Sequence, residues 1–292
     1  AMNWQRSLKI KRNYLLKEKT TFKIGGKADF FTEPVNPSEL SSVLKWAREN
    51  KLSVSIIGAG SNLLISDKGV KGLVIKLSAP YFKSLSLKGR YLKAGSGLKL
   101  SQIIQFAKQK SLGGIEFLAG IPGTLGGALA MNAGCWGKSI GDLISEVEVI
   151  DLKGKIKKIK ARGINLGYRS SNLGNYIILS AVLKLKRSNK NTVSRNIKEY
   201  ISKRLNTQDL TFPNAGCIFK NPRFLPAGKL IDLCGLKGKS LGGALISLKH
   251  ANFILNKGNA KSKDVIGLMR LARQRVMKKF RVKLEPEIKV WE

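Results

Sequence analysis

Ile57-Gly58-Ala59-Gly60-Ser61-Asn62 closes a short apolar run over residues 53–57, and its reading decides the fold. An apolar run of β length that ends in spaced glycines is a strand leading into a tight loop. Glycines at 58 and 60 let the backbone approach a ligand closely, so that successive N–H groups can face an anion; Ser61 and Asn62 add side-chain donors. A second glycine-rich stretch, Ala119-Gly120-Ile121-Pro122-Gly123-Thr124-Leu125-Gly126-Gly127-Ala128, runs on to Met131-Asn132-Ala133-Gly134. Its small residues leave room for a flat or extended ligand against the backbone. Neither stretch is a Walker phosphate loop, because Gly-Lys-Ser/Thr at the right spacing is missing, and Leu63 stands where a dinucleotide fingerprint needs its third glycine. On spacing alone, phosphate cradles and plain tight turns are equally good readings. Two such loops together favour a long ligand that carries a pyrophosphate.

Outward from these loops, strands alternate with helices. Residues 38–50 read as a helix with Ser38 as N-cap and Leu40, Val43, Leu44 and Ala47 on one face. Residues 73–77 and 91–94 read as strands, the latter followed by Gly95-Ser96-Gly97 and a helix over residues 99–110. Residues 147–151 and 155–161 form a hairpin turning at Lys153-Gly154, and residues 177–186 a long strand. Residues 188–192 are polar and read as a linker before a basic helix over 193–205. A helix over 262–280 and a strand over 287–291 complete a second α/β region.

Composition narrows the class. The 292 residues are 43% hydrophobic, enough for a real core in two or three small domains. Ala1 before Met2 reads as a cloning remnant. No run reaches the roughly 18–20 apolar residues of a membrane-spanning helix, and the N-terminus lacks a signal-peptide core, so a cytoplasmic location is expected. Cys135, Cys217 and Cys234 are too few and too scattered for a disulfide framework; with His250 as the only histidine, no metal site is expected. Lys and Arg number 54 against 18 Asp and Glu, a formal +36. Such charge fits nucleic acid through counterion release, but the lysines are dispersed, aromatics are 7%, and no nucleic-acid motif accompanies them. Nucleic acid is therefore not the expected partner, and the field instead favours capture of small anions.

Taken together, several stretches resemble one family, the UDP-N-acetylenolpyruvoylglucosamine reductases. They are Thr21-Phe22-Lys23-Ile24-Gly25-Gly26-Lys27-Ala28-Asp29, Gly58-Ala59-Gly60-Ser61-Asn62-Leu63-Leu64, and Gly113-Gly114-Ile115-Glu116-Phe117-Leu118-Ala119-Gly120-Ile121-Pro122-Gly123. Gly167-Tyr168-Arg169-Ser170-Ser171 and Pro213-Asn214-Ala215-Gly216-Cys217-Ile218-Phe219-Lys220-Asn221-Pro222 follow. Lys249-His250-Ala251-Asn252-Phe253 and Leu284-Glu285-Pro286-Glu287 close the series, in family order over nearly the whole chain. The resemblance implies an α+β chain: a two-lobed FAD-binding region of the vanillyl-alcohol-oxidase (PCMH) type, then a C-terminal α/β substrate domain. The lobes are expected at residues 1–70 and 71–190, and the substrate domain at 191–292. The short stretch from Pro222 to Ala227 resembles the family's shorter subtype.

What the resemblance implies for function is specific. FAD is expected against Gly58, Ala59, Gly60, Ser61, Asn62, Pro122, Gly123, Gly126, Gly127, Asn132 and Gly134. NADPH reduces the flavin, and the enolpyruvyl ether of UDP-N-acetylglucosamine is then reduced to UDP-N-acetylmuramate for peptidoglycan. Hydride arrives at the terminal enolpyruvyl carbon, so negative charge develops toward the carboxylate and calls for fixed donors. Arg169 matches the family arginine there, its planar fork suited to a carboxylate. Glu287 matches the residue that helps polarise the enolate and must hold or share a proton to do so. Glu285, two residues away on the same expected strand face, is its rival. Cys217 stands where serine is commoner, and a thiol, which ordinarily ionises near pH ~8.5, is a competent acid; the same Cys could also be a small buried hydrophobe. Tyr168, Lys220 and Asn221 match or suit substrate contacts; His250 receives no chemical role. Lys27, Trp136, Asp209 in place of proline after Gln208, and the Trp291-Glu292 tail depart from the family pattern. The chain is expected to act as a monomer. Two other readings stand beside this one: an oxidase of an alcohol or sugar on the same fold, which needs a base rather than an acid, and a non-enzymatic nucleic-acid binder.

Overall fold

The computed structural model describes residues 8–292; the reading of Ala1 as a cloning remnant falls outside them. The chain groups into two compact units that do not follow contiguous stretches. The first takes the chain up to Arg12, Phe30–Ala59 and Gly72–Lys203; the second takes Asn13–Asp29, Gly60–Lys71 and Arg204–Glu292. The sequence suggests lobes divided at residues 70 and 190, whereas segments from early in the chain cluster with its last ninety residues.

In the first unit a five-stranded antiparallel sheet runs in the order Ile156–Lys160, Ile144–Ile150, Ile177–Lys184, Tyr91–Gly95, Leu85–Lys88. Its central strand, IILSAVLK, is buried along nearly its whole length because Ile177 and Leu179 face one core and Ile178, Ala181 and Leu183 the other. The outer hairpin turns as its sequence requires: Asp151 Oδ1 accepts the N–H groups of Lys153 (3.0 Å) and Lys155 (2.9 Å), and Gly154 takes φ +87°. Helix α1 (Pro37–Glu49) sets Leu40, Val43, Leu44 and Ala47 into a core with Leu73, Ile75, Ile150, Ile177 and Leu179. Its N-cap is Asn36 rather than Ser38: Asn36 Oδ1 accepts the Glu39 N–H at 2.9 Å, which leaves Pro37 at the first helical position, where a missing N–H costs nothing. Helices α2 (Leu100–Gln109) and α3 (Leu125–Ala130) bury Ile103, Ile104, Ala107, Leu125 and Leu129 in the larger core with Val147, Val149 and Leu183. The strand Val54–Ile57 pairs in parallel with Leu73–Lys76.

Residues 188–192 are a helix start rather than a linker. Asn189 Oδ1 accepts the Thr192 N–H at 2.8 Å, and α4 runs Lys190–Thr207. A polar cluster that ends in a capping residue reads as loop from composition alone, although its chemistry is that of an N-cap.

The second unit is closed by long-range bonds. Leu63–Ile65 pairs in parallel with Lys289–Trp291, and Thr21 Oγ donates to Asn214 O at 2.7 Å. Asp67 accepts both the N–H (2.7 Å) and the hydroxyl (2.8 Å) of Ser262, holding the start of the long helix of this unit. Phe22, Ile24 and Leu64 thereby enter a core with Ile218, Phe219, Leu230, Ile231, Leu268 and Val276. Helices α5 (Ala227–Leu233) and α6 (Ser262–Phe280) and a sheet of Ser240–Leu241, Ala244–Ile246 and Ile254–Asn256 make up the rest. Among the described residues no helix is long and apolar enough to cross a membrane.

Candidate active site

The two glycine-rich stretches touch within the first unit. A Cβ on Gly58 would come within 2.6 Å of Thr124 Oγ1, so only glycine lets the end of the Val54–Ile57 strand lie against the second loop. Thr124 caps α3 by accepting the Gly127 N–H at 3.4 Å, and Gly123 O accepts from Leu100 N at 3.1 Å, beside the exposed Pro122. Gly126 donates its N–H to Ser96 O at 2.8 Å, and a Cβ there would meet Ser96 Cβ at 3.1 Å. Ala59, Ser61 and Asn62 are half-buried, and Gly60 is buried. Ser96 is only 4% exposed, yet its hydroxyl has no hydrogen-bond partner in the structure. A buried hydroxyl left so costs about 1–3 kcal/mol, which a ligand acceptor would recover. An orphan hydroxyl beside the second of two touching glycine loops is what an extended, phosphate-bearing cofactor would use.

Arg169 sits in a built turn. Leu166–Gly167 and Ser170–Ser171 pair as a hairpin with Tyr168 and Arg169 as its two loop residues. Arg169 takes φ +54°, an uncommon conformation for a residue with a side chain, and the loop is held from several sides. Its Nη1 donates to Gly134 O at 2.7 Å, Ser171 Oγ donates to Leu129 O (2.9 Å) and Ala130 O (3.0 Å), and Asn132 Nδ2 donates to Gly167 O at 3.0 Å. Asn132 Oδ1 also accepts from Gly141 N at 3.1 Å. Asn132 and Gly134, expected against the cofactor, thus bind the arginine loop to the glycine-rich stretch. Tyr168 is exposed, its ring 5.3 Å from the Arg169 guanidinium carbon.

In the second unit Cys217 and Glu287 lie on neighbouring backbone. Glu287 donates its N–H to Ile218 O at 2.8 Å, Lys220 donates to Glu285 O at 2.9 Å, and Phe219 bridges Pro286. Glu285 and Glu287 lie ahead of the Lys289–Trp291 strand, so the expected common strand face is not formed. Their surroundings differ instead. Glu285 is 66% exposed with its carboxylate 3.5 Å from Lys220 Nζ, whereas Glu287 is half-buried. Asn62, expected as a cofactor donor, gives its side-chain N–H to Glu287 O at 3.1 Å and accepts Lys289 N–H on its own carbonyl at 3.0 Å. Asn221, exposed, accepts the Ala227 N–H at 3.0 Å and so caps α5. The structure therefore brings Cys217, Lys220 and Glu287 together in one unit and Arg169, Asn132 and Gly134 together in the other.

Two departures from the family pattern have local explanations. Asp209 stands after Gln208 where proline is common, and its carboxylate accepts the Thr211 N–H at 3.2 Å and hydroxyl at 2.6 Å and the Ser247 hydroxyl at 2.7 Å, contacts that proline could not make. Trp136, at φ +50°, sets its ring 5.1 Å from that of Tyr200 on α4. Burial pushes the His250 imidazole below its ordinary pKa, with the Lys237 charge acting in the same direction, and burial raises the Cys234 thiol. Sequence reading missed Ser96, Thr124 and Asn252. Gly95-Ser96-Gly97 repeats the strand-then-glycine signal of the first loop and could have been found by it; Asn252 lies in the Lys249–Phe253 family stretch, where nothing local marks the role of its side chain.

A family model described as an FAD binding domain matches residues 28–160, and one described as the C-terminal domain of UDP-N-acetylenolpyruvoylglucosamine reductase matches residues 208–291. UDP-N-acetylenolpyruvoylglucosamine reductase 2 of Symbiobacterium thermophilum is 39% identical over 97% of this chain and 92% of its own. The reductase of Caldanaerobacter subterraneus subsp. tengcongensis is 40% identical over 97% and 93%. The crystal structure of the Thermus caldophilus reductase, 37% identical, superimposes with a TM-score of 0.84, covering 97% of this chain and 99% of that one. The glycine loops and the Ser96 hydroxyl lie within the FAD-binding match, Cys217 and Glu287 within the C-terminal one, and the relatives cover almost the full length: the chain belongs to the UDP-N-acetylenolpyruvoylglucosamine reductase family.

Proposed function

We propose that Arg169, Cys217 and Glu287 carry the chemistry of this FAD-dependent oxidoreductase, which reduces the enolpyruvyl ether of UDP-N-acetylglucosamine to UDP-N-acetylmuramate. FAD, when bound, supplies the hydride that it has taken from NADPH. The Gly58–Asn62 and Pro122–Gly134 backbones, with Gly126 and the Ser96 hydroxyl, would hold the cofactor. Arg169, fixed through Nη1 on Gly134 O, meets the substrate carboxylate with its guanidinium and stabilises the charge that develops there. Glu287, holding or sharing a proton, donates a hydrogen bond to the same enolate. The Cys217 thiol then delivers a proton to the carbanionic carbon, so that hydride and proton add across the double bond and solvent reprotonates the thiolate. Lys220, steadied by Glu285, and Tyr168 meet the phosphates or the carboxylate, and Asn221 contacts the sugar nucleotide. Residues 1–70 and 71–190 serve the cofactor and 191–292 the substrate, in a cytoplasmic monomer without a nucleic-acid partner.

The observation that carries this reading is the pairing of Ile218 with Glu287, which fixes the Cys217 and Glu287 segments edge to edge. Stopped-flow absorbance tests it: NADPH should bleach the flavin, and the enolpyruvyl sugar nucleotide should restore its colour. Cys217→Ala should keep the first half-reaction and lose most of the second. A loss of equal size in both half-reactions would remove Cys217 from the proton-donor role.

A further inference from the structure

We infer that His250 and Asn252 are positioning residues for the substrate-reducing step, holding the segment that carries Cys217, Lys220 and Asn221; this rests on the proposed donor role of Cys217. Asn252 is 1% exposed and spends its whole side chain on one residue of that segment. Its Oδ1 accepts the Phe219 N–H at 2.9 Å, and its Nδ2 donates to Phe219 O at 2.8 Å. Its own carbonyl accepts the Ile218 N–H at 2.9 Å, and Cys217 bridges Phe253 beside it. One buried residue therefore fixes one edge of the segment, while Glu285 and Glu287 fix the other through Lys220 N–H and Ile218 O.

Asn252 is itself held by His250. The Asn252 N–H donates to His250 Nδ1 at 3.2 Å, which requires a neutral imidazole with its proton on Nε2. Above the ring, the His250 N–H and the Lys249 N–H both donate to Ser247 Oγ, at 3.1 Å and 3.0 Å, and the fully buried Ser247 hydroxyl donates to Asp209 Oδ2 at 2.7 Å. The imidazole is boxed by Phe253, ring centroids 4.9 Å apart, and by Gly228, where a Cβ would come within 3.0 Å of Cε1. A continuous set of directional bonds thus runs from the Asp209 carboxylate to Phe219. Loosening it shifts Cys217 and Lys220 relative to Glu287, and a misplacement of about 1 Å can cost on the order of a hundredfold in rate.

His250→Ala should slow flavin reoxidation by the enolpyruvyl substrate at least about tenfold and leave flavin reduction by NADPH within about twofold. His250→Asn, whose Oδ1 can accept from the Nδ1 position, should restore most of the lost rate. Amide hydrogen exchange supplies a readout independent of turnover: Ile218 and Phe219 should exchange about tenfold faster in His250→Ala and recover in His250→Asn. Gly228→Ala, which crowds the ring without removing a hydrogen-bonding group, should give an intermediate loss in the same half-reaction. Equal slowing of both half-reactions, unchanged exchange at Ile218 and Phe219, or failure of His250→Asn to recover either readout would overturn the inference. Cys217→Ala separates it from the donor assignment. If that variant keeps substrate reduction, the donor role fails while faster exchange in His250→Ala still upholds the clamp; if it loses substrate reduction and His250→Ala does not, the clamp fails and the donor stands.

Discussion

At position 217 a thiol stands where the family more often uses a hydroxyl, and the two acids differ in what else they can do. With Cys217 as the proposed proton donor, Cys217→Ser should keep substrate reduction within about tenfold, because a hydroxyl with a higher pKa takes the same place. It should also abolish inactivation by hydrogen peroxide, since an accessible thiol is oxidised and an alcohol is not; progress curves with and without peroxide check both parts. His250 makes a pH-dependent contribution whose sign follows from its burial. Its folded pKa lies below the ordinary value, so the unfolded chain takes up a proton that the folded chain resists. Stability is then complete above about 6.5 and is lost as pH falls from there toward the depressed folded value. Thermal midpoints at about pH 7.5 and about pH 5.5 should show a drop in wild type that His250→Asn lacks. No local pattern announces the Asn252 clamp, because its partner is 33 residues earlier in the chain.

Elements are legible where their signals are local. Helix α6 spans residues 262–280, as its sequence predicts, because an apolar stripe and a polar start coincide. The hairpin at Gly154 follows from the turn residues alone. Leu63-Leu64-Ile65 reads in sequence only as the tail of a glycine loop, since three residues carry no period and their strand partner is Lys289–Trp291. The N-caps mislead in a systematic way: Ser38 for Asn36 in α1, and a linker for Asn189 in α4. Asn36→Ala should destabilise the fold by about 1 kcal/mol in urea titration, the usual worth of such a cap. At the glycine loop the expected cost falls on the ligand. Gly58→Ala drives a methyl into Thr124 Oγ1 and should weaken FAD retention at least about tenfold, measured by flavin fluorescence released on dilution.

Across the whole molecule, the +36 charge is the loudest compositional signal and says nothing about the fold. Ordered motifs decide the family, whereas charge bears on how fast anions arrive. kcat/KM for NADPH should therefore fall as NaCl rises from about 0.05 to about 0.5 M, where the Debye length shrinks below about 5 Å; a flat profile would make the charge kinetically idle. The interleaving of the units is the least legible feature, since it rests on pairings between distant segments. It also sets an order of events during synthesis. Phe22, Ile24 and Leu64 leave the ribosome early, but the core that buries them is supplied by Arg204–Glu292. At ordinary translation rates they wait roughly 10–40 s, exposed, for their partners. A fragment limited to the C-terminal family match would emerge without the strand, the helix-capping aspartate and the apolar residues that close it, so this unit is completed only when the chain is nearly finished.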